Sequence, residues 1–178
     1  VYMLVGFRRA DRKSNEAAMK YFILGGAASA LMLYGIALLY GATVSTHVRE
    51  ILAFVQTDST GGSMIFTLGL WLVVVGFLFK VAIVPFHTWM PDVYEGAPTP
   101  ITGFMTTGLK AAAFAAFLRF FVSSGYGAGL EETIEDNIHN ILWVCAVATM
   151  LWGNLVALSQ TNLKRMLAYS SIAHTGYI

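Results

Sequence analysis

Residues 63–86, SMIFTLGLWLVVVGFLFKVAIVPF, form a long apolar stretch near the middle of the sequence. The only charged side chain in this stretch is that of Lys80. An α-helix rises about 1.5 Å per residue, so about 20 apolar residues cross the roughly 30 Å hydrocarbon core of a bilayer. The stretch therefore predicts a membrane-spanning helix with one charged group inside it.

The composition of the whole chain agrees with this interpretation. Of the 178 residues, 57% are hydrophobic and 12% are charged, and the mean hydropathy is +0.65. Ordinary soluble domains contain about 25% charged residues. The formal net charge of +1 provides no general attraction to nucleic acid. Composition therefore favours a membrane protein and speaks against nucleic-acid binding.

Three further stretches are long and apolar enough to cross a membrane, at residues 17–42, 101–123 and 138–158. Residues 1–7 and 166–178 are shorter apolar runs, which we interpret as parts of further spans. The sequence therefore predicts an all-α, polytopic transmembrane helix bundle that forms a single membrane domain. Because both ends lie in apolar runs, without an initiator Met or a signal peptide, we expect an internal fragment of a longer protein.

Basic residues in the connecting segments indicate the orientation, because cytoplasmic loops retain Lys and Arg. If the spans alternate, residues 8–13 and 164–165 lie on the same side of the membrane. The basic residues of these two segments are Arg8, Arg9, Arg12, Lys13, Lys164 and Arg165. The other side has Arg49 and an acidic stretch at residues 131–136, which we interpret as a solvated loop. We expect a multi-pass protein with residues 8–13 in the cytoplasm.

Three lysines remain inside or at the edge of the predicted spans, namely Lys20, Lys80 and Lys110. A lysine at the centre of a membrane helix costs about 2.5 to 3.5 kcal/mol, so such residues usually face a bundle interior or a water cavity and serve function. Lysine suits proton transfer because its ammonium group loses a proton readily when it is desolvated. Lys20 is the weakest case, since Glu16 lies four residues before it on the same helical face and offers a structural partner.

Pro85 predicts an interruption of the apolar helix that contains Lys80. A proline lacks the amide hydrogen that would bond the carbonyl four residues back, which here is that of Val81. We therefore expect a discontinuous helix, broken near Pro85 and continuing to about residue 94, with a free carbonyl beside Lys80. His87 follows Lys80 by about two turns and is a secondary candidate for proton transfer, although a structural role fits it equally well.

A polar stripe leads to Lys110 on the next predicted span. Four residues recur there at helical spacings of three, four and four, namely Thr99, Thr102, Thr106 and Lys110. These spacings place them on one face of a helix. Such a stripe predicts either a hydrated path or a hydrogen-bonded contact between helices. His174, near the end of the sequence, is a further secondary candidate for such a path.

Three segments resemble a known family of membrane proteins. They are residues 84–100, VPFHTWMPDVYEGAPTP, residues 14–22, SNEAAMKYF, and residues 154–172, NLVALSQTNLKRMLAYSSI. They closely resemble the antiporter-like proton-translocating subunits of respiratory complex I. Within this family, residues 92–98 are most similar to the subunit N branch of NADH-quinone oxidoreductase. The resemblance extends over essentially the whole chain.

The resemblance implies a fold of inverted repeats, each with a discontinuous helix, in the membrane arm of a bacterial complex I in the plasma membrane. It implies that Lys80 is the lysine of the broken helix and Lys110 that of the following helix. Lys20 would be the lysine that pairs with a glutamate on the preceding helix. By the same likeness, quinone reduction elsewhere in the complex drives proton transfer from Lys80 through water to Lys110. The chain would be a translocase subunit, with other membrane-arm subunits, lipid and protons as its partners.

No cofactor or metal site is expected in the chain itself. The sequence has one cysteine, Cys145, inside an apolar run, where a packing role is the simplest interpretation. It also lacks the glycine-rich turn between a strand and a helix that binds dinucleotides. The resemblance implies that NADH, FMN, iron–sulfur clusters and quinone bind to other subunits.

Two other functions remain compatible with the sequence. One keeps the chemistry, in a subunit of a multi-subunit cation/proton antiporter or of a membrane-bound hydrogenase, since both share the broken-helix signature. The other is a membrane anchor or assembly protein without an ion path, in which structural partners satisfy the lysines. Proton pumping by variants of Lys80 and Lys110 separates an ion path from an anchor.

Overall fold

The computed structural model describes residues 1–57, 64–121 and 132–178, and these residues form helices without any strand. In chain order the helices are α1 (Tyr2–Val5), α2 (Arg12–Thr43), α3 (Val48–Thr57), α4 (Met64–Val81), α5 (Trp89–Gly96), α6 (Thr99–Phe104), α7 (Lys110–Phe121), α8 (Glu132–Leu158) and α9 (Leu163–Tyr177). A π-helical segment, Met105–Leu109, joins α6 to α7. The all-α fold class predicted from the sequence is confirmed.

Within the described residues, four helical segments are long and apolar enough to cross a membrane, namely Arg12–Thr43, Met64–Val81, Thr99–Phe121 and Asp136–Leu158. Each overlaps one of the four apolar stretches identified by hydropathy. A helix satisfies its own backbone hydrogen bonds and is therefore stable in an apolar environment. Residues 63 and 122–123 of the predicted spans, and Glu131 of the acidic stretch, lie outside the described residues.

Helix α3 lies in a segment that hydropathy alone assigned to a connection between spans. It has 10 residues, which is too short to cross a bilayer. Ile51 is nonetheless buried, and it belongs to the same apolar cluster as Phe66 and Leu70 of α4. The helix therefore covers part of the core formed by α4.

Two close backbone approaches set the packing around α2. A Cβ atom on Gly35 would lie 2.8 Å from the carbonyl oxygen of Gly69 on α4, so the two helices meet where neither has a side chain. A Cβ atom on Gly96 would lie 2.5 Å from Cβ of Ala17 and 2.6 Å from the carbonyl oxygen of Lys13. The end of α5 therefore lies directly on the first turns of α2.

The predicted helix break is present. Helix α4 ends at Val81, four residues before Pro85, as expected when the proline cannot donate to that carbonyl. Ala82 then adopts a φ of 60°, a left-handed conformation that turns the chain out of the helix. The chain resumes as α5 at Trp89. The discontinuous helix predicted from the sequence is confirmed, with its break beginning immediately after Lys80.

Hydroxyl groups from α8 and α9 satisfy backbone groups that the break exposes. Oγ1 of Thr175 on α9 lies within hydrogen-bond distance of the carbonyl oxygen of Val81, at 3.3 Å. Thr149 on α8 accepts from the amide of Val84 at 3.0 Å. Unpaired backbone groups at membrane depth are costly, so these two contacts stabilise the interruption.

Candidate functional site

Lys80 occupies the last turn of α4, immediately before the break. Its side chain is exposed within this chain, and Nζ lies 3.4 Å from Oγ of Ser29 on α2. Among the described residues, no carboxylate lies within 4.0 Å of this amine. Lys80 therefore has a weak neutral partner and no ion pair in the part of the chain that the structure describes.

Lys110 follows the π-helical segment and is half buried. Its Nζ donates to the carbonyl oxygen of Ser171 at 2.7 Å, to Oγ of Ser171 at 2.9 Å and to Oγ1 of Thr175 at 2.7 Å. All three acceptors are neutral and belong to α9. Single π turns inside α-helices occur frequently at functional sites. Lys110 lies directly after such a turn, which supports its choice as a candidate site residue.

Lys80 and Lys110 line the same cavity, whose volume is about 200 Å³. Its other lining residues are mostly aromatic or apolar, and they include Tyr21, Trp89 and Tyr94. Its volume exceeds the roughly 30 Å³ of a single water molecule, so it has room for water between the two lysine side chains. The cavity therefore offers a space in which water can bridge the two lysines.

Lys110 also borders a second and larger space. This groove, with a volume of about 800 Å³, runs between the segment from Thr99 to Ala111 and α9. Thr102, Thr106 and His174 line it together with Lys110. The secondary candidates predicted on the two helices thus face one common groove.

The threonine stripe has hydrogen-bond partners of its own. Oγ1 of Thr106 donates to the carbonyl oxygen of Thr102 at 2.9 Å. Oγ1 of Thr102 lies 3.2 Å from the carbonyl oxygen of Tyr94, which links the stripe to α5. The stripe therefore lines the groove and makes a hydrogen-bonded contact with a neighbouring helix, while the hydrated path stays a prediction.

His87 lies away from these two spaces. It is 9% exposed, and Nδ1 has no hydrogen-bond partner among the described residues. Its ring packs against that of Trp152, with 6.3 Å between ring centroids. His87 does not line the cavity that contains Lys80 and Lys110. Its role in proton transfer therefore stays a prediction.

Lys20 has a very different environment from the other two lysines. Its Nζ lies 2.8 Å from Oε1 of Glu16 and 2.8 Å from Oδ2 of Asp92. The contact with Glu16 is the one that their spacing predicts. Asp92 also accepts from Nη1 of Arg165 at 2.7 Å, so one carboxylate joins α2 to α9 through α5.

Glu95 extends this arrangement by one turn of α5. Its carboxylate lies 3.1 Å from Nη1 of Arg165 and 3.1 Å from Nζ of Lys13. Burial disfavours the charged form of Glu95, but hydrogen bonds from Arg165 and Lys13 outweigh that effect and lower its pKa. The residues Glu16, Lys20, Asp92, Glu95 and Arg165 are called the ionic network below.

Sequence reasoning missed several of these contacts. Ser171 and Thr175 are spaced four residues apart and share a face of α9, which is a visible signal. His174 lies on an adjacent face of the same helix and is exposed. The spacing of polar residues did not show which of the two faces points towards Lys110.

Comparisons with known proteins identify the family. The family described as NADH:quinone oxidoreductase/Mrp antiporter, TM, matches residues 1–178. The curated relative named NADH-quinone oxidoreductase subunit N from Trichlorobacter lovleyi is 50% identical over 177 residues. That match covers 99% of this chain and 35% of the relative, so the chain spans about a third of the length of the curated relatives it matches.

Solved structures show the same relationship. Respiratory complex I from Thermus thermophilus with bound aureothin contains a chain that is 43% identical, with a TM-score of 0.76, and the match covers 99% of this chain and 35% of that one. An archaeal membrane-bound sulfane sulfur reductase contains one that is 31% identical, with a TM-score of 0.84, covering 98% and 34%. The chain therefore belongs to the NADH:quinone oxidoreductase/Mrp antiporter family of membrane proteins.

Proposed function

We propose that this chain is part of a proton-translocating membrane-arm subunit, of the subunit N type, in an NADH-quinone oxidoreductase. The observation that carries the proposal is the shared cavity of about 200 Å³ lined by Lys80 and Lys110 beside a broken helix. The relatives named subunit N support this type, since the identity of 50% to one of them exceeds the 31% to the sulfane sulfur reductase chain.

The partners of the two lysines support proton exchange. A nearby carboxylate stabilises the charged form of an amine in a low-dielectric site. Burial without such a partner destabilises that charged form. Lys110 is half buried and has hydroxyl and carbonyl acceptors only, among the described residues. Its protonated and neutral forms are therefore closer in free energy than those of an ion-paired lysine. Such a group can both accept and release a proton.

The proposed sequence of events begins at the ionic network. A change in the partners of Lys20 alters the electrostatic potential at Lys80, which then passes its proton through water in the shared cavity to Lys110. From Lys110 the proton would enter the groove. Thr102, Thr106 and His174 line that groove and would supply hydrogen-bond partners for water. His87 is a secondary candidate outside this route.

The energy would come from chemistry in other subunits. In the proposed complex, NADH oxidation and quinone reduction use FMN and iron–sulfur clusters bound elsewhere, and this chain contributes proton transfer alone. Its partners would be neighbouring membrane-arm subunits and lipid. The proposed location is the bacterial plasma membrane, with residues 8–13 on the cytoplasmic side, where basic residues accumulate.

Proton pumping by lysine variants tests the proposal. Lys80→Ala and Lys110→Ala, each in the full-length subunit of the assembled complex, are expected to abolish most pumping that the subunit supports in proteoliposomes. Arg9→Ala is the control, because it removes an exposed cation from a connecting segment. Quinone reductase activity of detergent-solubilised complex confirms assembly. Pumping at the parental level in both lysine variants would contradict the proposal and favour a membrane anchor.

A further inference from the structure

The hydroxyl group of Thr175 contacts both parts of the candidate site. Thr175 is 4% exposed and lies in the last turns of α9. Its Oγ1 accepts from Nζ of Lys110 at 2.7 Å. The same oxygen lies 3.3 Å from the carbonyl oxygen of Val81, at the end of α4, and 3.0 Å from that of Ser171. A hydroxyl has one hydrogen, so it donates to either carbonyl while it accepts from the lysine.

The carbonyl of Val81 is the backbone group left without a donor by Pro85 and follows directly after Lys80. A movement of the broken helix that shifts this carbonyl changes which acceptor the Thr175 hydrogen uses. The hydroxyl then rotates, and a different lone pair of its oxygen points towards Nζ of Lys110. The break and the second lysine are therefore connected through one oxygen atom.

We propose that Thr175 is a positioning residue that connects the helix break after Lys80 to the proton affinity of Lys110. This inference rests on the proposed function, because it assigns Thr175 a role in the same transfer. Ser171 supplies two of the three acceptors of Lys110, but among the described residues its side chain makes no hydrogen bond to Val81. Of these two residues, Thr175 is the one that contacts both the break and the amine of Lys110.

The test is the pH profile of proton pumping by the complex with the full-length subunit. Thr175→Val keeps the side-chain shape and removes the hydroxyl. Protonated Lys110 then loses one acceptor and holds its proton less tightly, so the alkaline limb is expected to move to lower pH by about one unit. The maximal pumping rate is expected to fall several-fold. Thr175→Ser retains the hydroxyl and is expected to restore the parental profile.

Two controls separate this role from a structural one. Thr43→Val removes a hydroxyl that bonds the carbonyl of Leu39 in its own helix, outside the cavity and the groove, and is expected to leave the profile unchanged. Thr149→Val removes the other hydroxyl at the break without touching Lys110 and is expected to leave the position of the alkaline limb unchanged. If Thr175→Val does not assemble, Thr175→Ala is measured in its place.

The outcomes distinguish this inference from the proposed function. A profile of Thr175→Val that superimposes on the parental one, in a complex where Lys110→Ala has lost pumping, overturns the inference alone. The inference is also overturned if Thr149→Val shifts the alkaline limb of the pH profile as far as Thr175→Val does. Parental pumping by Lys110→Ala overturns the proposed function as well.

Discussion

The ionic network and the lysine cavity use the same type of side chain in opposite ways. In the network, Lys20 has two carboxylate partners, each at 2.8 Å. In the cavity, Lys80 and Lys110 have neutral partners among the described residues, at distances from 2.7 to 3.4 Å. Identical ammonium groups therefore face very different electrostatic environments. The partner, rather than the residue type, determines whether a lysine stays charged or exchanges a proton.

The comparison also shows how the two regions are joined. Helix α9 contributes Arg165 to the network and, further along the same helix, Ser171 and Thr175 to Lys110. Under the proposed function, α9 is the element through which a change in the network would reach the acceptors of Lys110. Under the proposed function, the network has a structural and electrostatic role and the cavity is the place of proton transfer.

Arginine retains the positive charge of a lysine but does not release its proton, so replacing Lys110 by arginine has the largest expected effect. Under the proposed function, Lys110→Arg is expected to lower pumping on the order of 10²-fold, the typical contribution of a proton-transfer group. Lys20→Arg is expected to retain most pumping, because its partners require only a cation. Proteoliposome pumping measures both variants. Equal losses in the two variants would remove the distinction between the regions.

A somewhat smaller effect is expected when the cavity is given a carboxylate like those of the network. Ala113 lines the cavity and lies about one turn after Lys110. Ala113→Asp is expected to hold Lys110 in its charged form and to lower pumping about tenfold, equivalent to roughly 1.4 kcal/mol. Ala113→Asn is the matched control without charge. Similar pumping by the Asp and Asn variants would show that shape rather than charge matters at this position.

The smallest expected effect concerns the pH dependence of the network. The pKa of Glu95 is lowered from its ordinary value of 4.5, so its charged form stabilises the folded state above that pH. This contribution is lost as the pH falls through the lowered pKa. The thermal unfolding midpoint of the purified complex is expected to fall more steeply below pH 4.5 than that of Glu95→Gln. Parallel curves for the two proteins would show that Glu95 adds no pH-dependent stability.

Sequence reasoning succeeded where the determining interactions are local. An apolar run is a property of neighbouring residues, and the bond that Pro85 cannot make reaches only four residues back, to Val81. The spans and the position of the break follow from such local rules. The contact between Glu16 and Lys20 follows from helical spacing in the same way.

Contacts between distant segments could not be predicted in this way. Asp92 meets Lys20 across 72 positions, and Thr175 meets Lys110 across 65. Both contacts depend on how far each helix is rotated about its axis, and hydropathy alone does not determine that rotation. Helix α3 was missed for a related reason, since it covers a core formed by a later segment of the chain.

The packing of Gly96 has a consequence for the electrostatics of the network. The nearest atoms of Ala17 and Lys13 leave no space for even a methyl group at this position. The closest approach of the backbones of α5 and α2 at Gly96 is therefore limited by atomic radii. Salt or a change of pH can alter the strength of these charge pairs, while the contact at Gly96 depends on shape and not on charge.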